Sequence, residues 1–142
     1  MSLSHAVAAV ILAAIAAGCI KRATIEFENR TGTDATVRTE DKNECTAPAG
    51  GRCRVWFHSH LVVVTGDMTL AYDLPPITGD RTELDKWEAA EGFMDRIVRL
   101  RFDTDQRLTL VPGASTTTAA GVTNQPPGYP VVARWGGRET RR

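Results

Sequence analysis

The sequence has no excess of either charge. Its 142 residues include 17 lysines and arginines and 17 aspartates and glutamates, so the formal net charge is zero. A domain that binds the phosphates of nucleic acid usually carries a basic surplus, and this chain has none overall. The carboxyl-terminal tail is locally basic, and a solvated tail is its simplest interpretation. Charge composition therefore predicts no nucleic-acid partner.

The chain also lacks the short motifs on which common enzyme mechanisms depend. It has no Gly-x-Ser-x-Gly elbow, no phosphate-binding loop, no Gly-x-Gly-x-x-Gly fingerprint and no His-Glu-x-x-His run. Asp103 and Asp105 lie too close together along one turn to act as a separated acid and base. The sequence therefore predicts no catalysis and no cofactor.

No apolar run is long enough for a membrane-spanning helix, which needs about 20 residues. The run from Ala6 to Ile20 ends on small residues and is followed by Lys21 and Arg22. A secretory signal combines an apolar core of about 7 to 15 residues with small residues at its cleavage site. This run is therefore interpreted as an export signal.

The sequence Ala-Ala-Gly-Cys that ends at Cys19 resembles the lipobox of bacterial lipoproteins. The resemblance concerns only the amino-terminal segment, and the rest of the chain resembles no family known to us. It implies that a peptidase removes residues 1–18 and that the Cys19 sulfur carries diacylglycerol. An ordinary signal peptide is one alternative. A short uncleaved anchor is another, which the basic residues after the run favour.

The remaining cysteines are two, Cys45 and Cys53, separated by seven residues that include Pro-Ala-Gly-Gly. Turn-forming residues allow the ends of such a loop to approach, and an even pair suits an oxidising compartment. We expect a disulfide between them if Cys19 is lipidated. Zinc binding is the alternative, but it needs four ligands and a second pair is missing.

The body of the chain consists of short segments in which polar and apolar residues alternate, as in β-strands. Thr24–Glu28 and Ala35–Thr39 flank a turn cluster and predict an antiparallel hairpin, with Ile25, Phe27 and Val37 pointing inward. The later strand-like segments are Arg54–His58, His60–Thr65, Met68–Tyr72, Val98–Phe102 and Arg107–Val111.

A short helix is predicted over Lys86–Glu91, because Thr82–Asp85 before it has the pattern of a capping box. The fold class is thus mainly β, a small antiparallel β-sandwich or barrel with at most one short helix, preceded by a helical signal segment.

The predicted organisation has four parts. Residues 1–18 form the signal peptide, residues 19–23 the lipidated cysteine and tether, and residues 24–112 the β domain. Residues 113–142 form a Pro/Gly/Thr-rich arm and basic tail, in which Val131–Ala133 is a candidate short strand at a sheet edge.

His58 and His60 are the candidate metal ligands. Two positions apart on a strand, they lie on the same side and suit one copper or zinc ion. Met68 and Met94 are soft ligands that would suit copper, although nothing in their spacing requires it. A structural role for the histidines is the preferred interpretation, since further ligands would have to come from elsewhere in the fold.

Arg99, Arg101 and Arg107 form the candidate interaction surface. Alternation places Arg99 and Arg101 opposite an apolar face of the same strand, so they form a cationic face that an acidic partner could contact. Outward arginines also keep an antiparallel sheet soluble, and this interpretation is preferred.

These observations predict an exported lipoprotein that is anchored to the membrane by its lipid and has a binding or structural role in the cell envelope. An envelope protein assembly is its candidate partner. By resemblance, Ile20 after the cysteine favours the outer membrane, facing the periplasm, and secretion or inner-membrane anchoring are alternatives. Other possible functions are a periplasmic metal carrier, or an enzyme whose concave site gathers Asp73, Asp85, Glu88 or His60.

Overall fold

The computed structural model describes residues 22–77, 86–91, 95–112 and 124–138. Within these residues the chain forms ten β-strands, and a helical conformation occurs only at Lys86 and Trp87. The strands are β1 (Arg22–Asn29), β2 (Ala35–Thr39), β3 (Glu44–Ala47), β4 (Arg52–Trp56), β5 (His60–Thr65), β6 (Met68–Asp73), β7 (Glu88–Glu91), β8 (Asp95–Phe102), β9 (Leu108–Val111) and β10 (Trp135–Arg138).

The strands are arranged in two five-stranded sheets. Sheet A has the order β4-β1-β8-β7, and β9 pairs with β8 beyond the end of β7. Sheet B has the order β10-β6-β5-β2-β3. All these pairings are antiparallel except that of β1 with β8, which is parallel. The prediction of a mainly β, sandwich-like fold is confirmed, whereas the predicted signal helix lies outside the described residues.

One hydrophobic core receives side chains from both sheets. The alternation in β8 places Val98, Leu100 and Phe102 in this core, as the sequence predicts. The rings of Phe27 and Phe102 stack with their centroids 5.7 Å apart. The largest fully buried side chains are Trp87, Tyr72, Phe27, Phe102, Ile25, Leu61, Leu70, Leu100, Leu108 and Leu110.

The predicted hairpin between the first two strands is wrong. Ile25, Phe27 and Val37 are fully buried as expected, but β1 belongs to sheet A and β2 to sheet B. The turn cluster between them crosses from one sheet to the other. Alternation describes which side of a strand faces the core, and it is identical for a hairpin and for such a crossing.

Asn29 holds this crossing in place. Its side chain is fully buried and donates hydrogen bonds to the carbonyl oxygens of Thr33, at 2.7 Å, and Ala47, at 3.1 Å. Its Oδ1 accepts from the backbone N–H and the hydroxyl of Thr31, at 3.0 and 2.7 Å. One amide side chain thus provides hydrogen-bond partners for backbone groups in the crossing and at the end of β3.

Two other turns form hairpins. β5 and β6 pair in antiparallel fashion around Gly66, whose positive φ of 58° suits a tight turn without a side chain. β8 and β9 pair around the turn that contains Asp103 and Gln106, in which the Gln106 N–H donates to the Asp103 carbonyl at 2.9 Å. Asp103 and Asp105 therefore have the turn role expected of them.

The helix predicted over Lys86–Glu91 is wrong from Glu88 onward, because residues 88–91 form β7. This strand pairs with the first half of β8, and Glu88 forms an ion pair with Arg96 at 2.7 Å. Pairing with the backbone of β8 outweighs the weak helical preference of so short a segment.

Residues 124–138 join the β domain. Tyr129 and Val131 are buried in the core, and Val131 forms an isolated bridge with Leu108. The predicted strand at Val131–Ala133 is misplaced, because the strand that extends sheet B is β10, which pairs with β6. The part of the predicted arm that the structure describes therefore contributes to the fold.

Candidate functional site

The expected disulfide between Cys45 and Cys53 is present, with their Cα atoms 5.8 Å apart. Cys45 lies on β3 at the edge of sheet B, and Cys53 lies on β4 at the edge of sheet A. The turn between them contains Gly50 at a positive φ of 71° and is closed by a hydrogen bond from Gly51 N–H to the Pro48 carbonyl at 2.8 Å. The disulfide therefore connects the two sheets covalently at one edge.

The structure brings His58 and His60 together, with ring centroids 5.8 Å apart. His58 Nδ1 accepts a hydrogen bond from the backbone N–H of His60 at 3.1 Å, and its Nε2 lies 3.7 Å from a carboxylate oxygen of Glu40. His60 Nδ1 contacts Asp73 at 2.5 Å, and Arg134 Nε lies 3.1 Å from the same Asp73 oxygen. The Asp73 oxygen nearest the histidines is therefore already engaged by a cation.

This arrangement does not have the geometry of a metal site. Among the residues that the structure describes, no group of three or more histidine, cysteine, aspartate or glutamate side chains is placed to hold an ion. Met68 receives a contact from Gln106 Nε2 at 3.6 Å, and Met94 lies outside the described residues. The contacts of the histidines tie the loop before β5 to its neighbours.

Arg99 and Arg101 lie on the outer face of sheet A, but they do not form a purely cationic face. Parallel pairing places them beside Glu26 and Glu28 of β1. Arg99 Nε lies 3.5 Å from Glu26, and Arg101 Nε lies 3.6 Å from Glu28. Arg101 is only 5% exposed, so the expectation of a solvated outward arginine is wrong at this position.

The same two carboxylates are also flanked on their other side. β4 pairs with β1, and it places Arg54 3.0 Å from Glu26 and Arg52 3.9 Å from Glu28. The outer face of sheet A therefore carries a charge ladder, which we define as Glu26 and Glu28 of β1 together with the arginines on the strands at both sides of it. The repulsion expected among adjacent arginines is offset by the two carboxylates between them.

Arg30 and two arginines of the ladder lower the pKa of Glu28. Burial raises the pKa of the Glu28 carboxyl, but the hydrogen bond from Arg30 and the positive charges of Arg101 and Arg52 outweigh burial, so its pKa lies below the ordinary value of 4.5. Arg30 Nε donates to Glu28 at 3.0 Å. The carboxylate is thus a structural anion at neutral pH.

Arg107, the third arginine of the predicted surface, lies elsewhere. It follows the β8–β9 turn and its Nε is 3.8 Å from Asp105. Both of these side chains are more than half exposed. The structure therefore does not unite Arg99, Arg101 and Arg107 in one ladder.

The residues proposed for an enzymatic site are also not united. Asp73 and His60 are in contact, but Glu88 is paired with Arg96 on β7 and β8, and Asp85 lies outside the described residues. A shallow, open depression of about 310 Å³ is lined by Thr24, Asn43, Arg54, Val55 and Trp56. Arg54 is its one ionisable lining residue, so this depression has no acid–base pair.

The feature that the sequence did not indicate is a set of exposed aromatic side chains. Trp56 is 47% exposed, Phe57 42% and Trp135 57%, although Trp56 and Phe57 were expected in a core strand. Trp56 and Phe57 are adjacent at the end of β4, whereas Trp135 begins β10 in the other sheet. For Trp56 and Phe57, the signal available in the sequence was their position near the end of a strand-like segment.

Trp56 and Phe57 lie beside the start of β1, at one end of the sandwich, which we call the aromatic end. Phe57 N–H donates to the carbonyl of Ala23, at the start of β1. The chain then passes through the two histidines to Asp73, which contacts Arg134, and Trp135 follows at the start of β10. Trp135 pairs with Ala71 and lies on the outer face of sheet B, whereas Trp56 lies on the outer face of sheet A.

Comparisons with known proteins place the chain in no family: no protein-family model, no curated protein and no solved structure matches it. In the described part of the chain, no helix has the length and apolar character needed to cross a bilayer. Cys19 and the segment that resembles a lipobox lie outside the described residues.

Proposed function

We propose that this protein is an exported lipoprotein of the bacterial cell envelope, anchored by acyl chains on Cys19, with a binding or structural role and no catalytic activity. The observation that carries the proposal is the disulfide between Cys45 and Cys53. Disulfides form and persist in oxidising compartments such as the periplasm and are rare in the cytosol. The pairing leaves Cys19 as the single remaining cysteine of the chain.

The proposed absence of catalysis is supported by the distribution of ionisable groups. The carboxylates of the charge ladder are engaged by arginines, and the depression beside Trp56 has only Arg54 as an ionisable group. A binding or structural role requires a stable fold that displays contact residues at a defined place. The covalently linked sheets and the aromatic end supply both.

Intact-mass measurement of the protein purified from membranes of its native host tests the proposal. The expected product lacks residues 1–18, carries the mass of diacylglycerol on an amino-terminal Cys19, and has no free thiol. A Cys19→Ser variant is the matched control, and it should retain its full amino-terminal segment and no lipid. A product that retains Met1 and three reduced thiols would contradict the proposal.

The proposed localisation is the outer membrane, with the β domain in the periplasm. It follows from Ile20 after the lipidated cysteine, since the resemblance to bacterial lipoproteins implies that aspartate there would favour the inner membrane. Separation of inner and outer membranes by density should recover the lipidated protein with the outer membrane. Recovery with the inner membrane would contradict the outer-membrane localisation but not the proposal of a lipid anchor.

A further inference from the structure

We infer that the depression at the edge of β4 is a binding site for a neutral carbohydrate, with a sugar ring stacked on the indole of Trp56. The depression has a volume of about 310 Å³ and is lined by Thr24, Asn43, Arg54, Val55 and Trp56. This inference deepens the proposed function and rests on it, because export places the domain among the glycans of the envelope. It names the class of ligand that the proposed binding role would serve.

The first argument is the wall that Trp56 provides. Trp56 lies opposite Thr24 on the outer face of sheet A and is 47% exposed at the end of β4. The face of an aromatic ring is apolar and carries partial negative charge, so the polarised C–H groups on one face of a sugar ring can pack against it. A half-exposed indole at the side of a depression therefore supplies a stacking surface for a flat ligand.

The second argument is a hydrogen-bond donor that the fold holds in place. Asn43 Oδ1 accepts from the backbone N–H of Trp56 at 2.9 Å, and the Asn43 carbonyl accepts from the Thr39 N–H at 2.9 Å. Because the first contact needs the amide oxygen, it leaves Asn43 Nδ2 as a donor, and no hydrogen bond within the described part of the chain uses this atom. The Thr24 hydroxyl, which can donate or accept, lines the same depression. A ligand there meets polar groups beside the indole.

The third argument is the balance of charge around the depression. Arg54 is its one ionisable lining residue, and Arg54 Nη2 lies 3.0 Å from a carboxylate oxygen of Glu26. Beside Asn43, hydrogen bonds from the Thr39 hydroxyl and from the Asn43 backbone hold the pKa of the Asp41 carboxyl below its ordinary value of 3.8. An anionic ligand would meet this carboxylate, and a cationic ligand would meet Arg54. The surroundings therefore favour a neutral ligand.

A sugar ring fits these three features together. An apolar ligand would desolvate the Asn43 amide and the Thr24 hydroxyl without replacing their hydrogen bonds to water, which costs free energy. A sugar ring presents C–H groups on its face and hydroxyl groups around its rim. When its face stacks on Trp56, its rim is directed to the polar groups, as expected of a site with a few placed donors beside an apolar wall.

The test is a titration of the full-length protein, isotopically labelled and purified in detergent, with the neutral trisaccharides chitotriose and cellotriose. Both are linear chains of sugar rings, and only chitotriose carries acetamido groups. The chain contains three tryptophans, so its NMR spectrum has three indole N–H signals. The signal of Trp56 should shift with at least one of the two sugars, whereas those of the buried Trp87 and of Trp135 on sheet B should not.

Dissociation constants of variants measured by calorimetry locate the site. Trp56→Ala should weaken binding by about tenfold or more, since aromatic residues at the centre of a contact carry a large share of the binding energy. Asn43→Asp keeps the acceptor for the Trp56 N–H but removes the amide donor, and it should weaken binding by about tenfold. Trp135→Ala is the matched control, because it removes an exposed tryptophan from the other sheet and should leave the affinity unchanged.

Binding of either sugar with these variant effects supports the inference, and the preferred sugar distinguishes a glycan of acetylated amino sugars from one of plain hexoses. An unchanged Trp56 signal with both sugars at millimolar concentration would overturn it. Equal loss of affinity in Trp56→Ala and Trp135→Ala would also overturn it.

Failure of the lipoprotein proposal is recognised separately, by the mass of Cys19 in the same preparation. Lipid on Cys19 without sugar binding would overturn the carbohydrate site and leave the anchor supported. Sugar binding that depends on Trp56, in protein without lipid, would support the site while the lipoprotein proposal fails.

Discussion

On the outer face of sheet A, some ionisable residues are buried although they point away from the core. Glu26 is 8% exposed and Arg101 5%, and each charge lies beside an opposite charge on a neighbouring strand. Removing both partners of such a pair can be nearly neutral, but removing one leaves the other buried without compensation. The carboxylates of β1 are therefore the residues at which this face is most sensitive.

Replacing Glu28 by glutamine should reduce stability at neutral pH by about 2 kcal/mol, because charge-assisted hydrogen bonds contribute about this amount. The pKa of Glu28 in the folded protein lies below its ordinary value of 4.5, so its contribution is present above that pH and is lost as the pH falls below it. Urea unfolding of wild type and Glu28→Gln at a series of pH values should show a difference that closes in acid.

Glu44→Gln is the matched control, since Glu44 pairs with Arg38 at 3.1 Å but both side chains are more than half exposed. A surface pair of this kind contributes about 0.5 kcal/mol or less. Equal losses in the two variants, or a Glu28 difference that persists unchanged in acid, would contradict the structural role assigned to Glu28.

Among the elements, the β3 and β4 edges depend on the disulfide. β3 pairs only with β2 in sheet B and β4 only with β1 in sheet A, so no backbone ladder joins the two strands. Their connection consists of the short turn and the bond between Cys45 and Cys53. The disulfide thus closes one side of the sandwich that backbone hydrogen bonding leaves open.

Removing the disulfide by Cys45→Ala and Cys53→Ala should lower the free energy of unfolding by about 2 to 3 kcal/mol, the chain-entropy value for so short a loop. The sequence separation of the cysteines is eight residues. The measurement is urea unfolding of wild type and double variant, each with and without dithiothreitol. Reductant should destabilise only the wild type, and an oxidised wild type no more stable than the double variant would contradict this role.

The elements also show what alternation in a sequence determines. The inward positions Ile25, Phe27 and Val37 were correctly predicted, and so was the disulfide, because each depends on local pattern or on cysteine number. The strands that pair with β1 were not predicted correctly, because the choice among β2, β4 and β8 depends on contacts between residues that are distant in sequence. Parallel pairing with β8 leaves no turn signal between the two strands.

The candidate surfaces were predictable to different degrees for the same reason. Arg99 and Arg101 were correctly assigned to the non-core side of β8, but their neighbours Glu26 and Glu28 come from a strand some seventy positions earlier. The exposed aromatic residues come from the termini of β4 and β10, which belong to different sheets. Only the assembled fold shows that Trp56 lies opposite Thr24, beside the start of β1.

At the scale of the whole molecule, the two tyrosines join segments that are far apart in sequence. Tyr72 on β6 donates its hydroxyl to the carbonyl of Gln106 at 2.5 Å, in the β8–β9 turn. Tyr129 donates to the carbonyl of Pro75 at 2.8 Å. Because both rings are buried, each hydrogen bond couples a connecting segment to the core.

Burial of these rings predicts how the whole fold responds to alkali. Burial raises the pKa of Tyr129 from 10.0 to about 12, and burial together with the charge of Asp105 raises the pKa of Tyr72 further. Since the folded pKa values exceed those of the unfolded chain, the stabilisation is complete below about pH 10 and is lost as the pH rises above it. The native protein should show little phenolate absorbance at about pH 11, whereas the urea-unfolded protein titrates near pH 10. Tyr129→Phe should halve the absorbance that appears on alkaline unfolding, because the chain contains only two tyrosines. Titration of either phenol near pH 10 in the folded protein would show that residues 124–138 or the β8–β9 turn does not pack on the core as described.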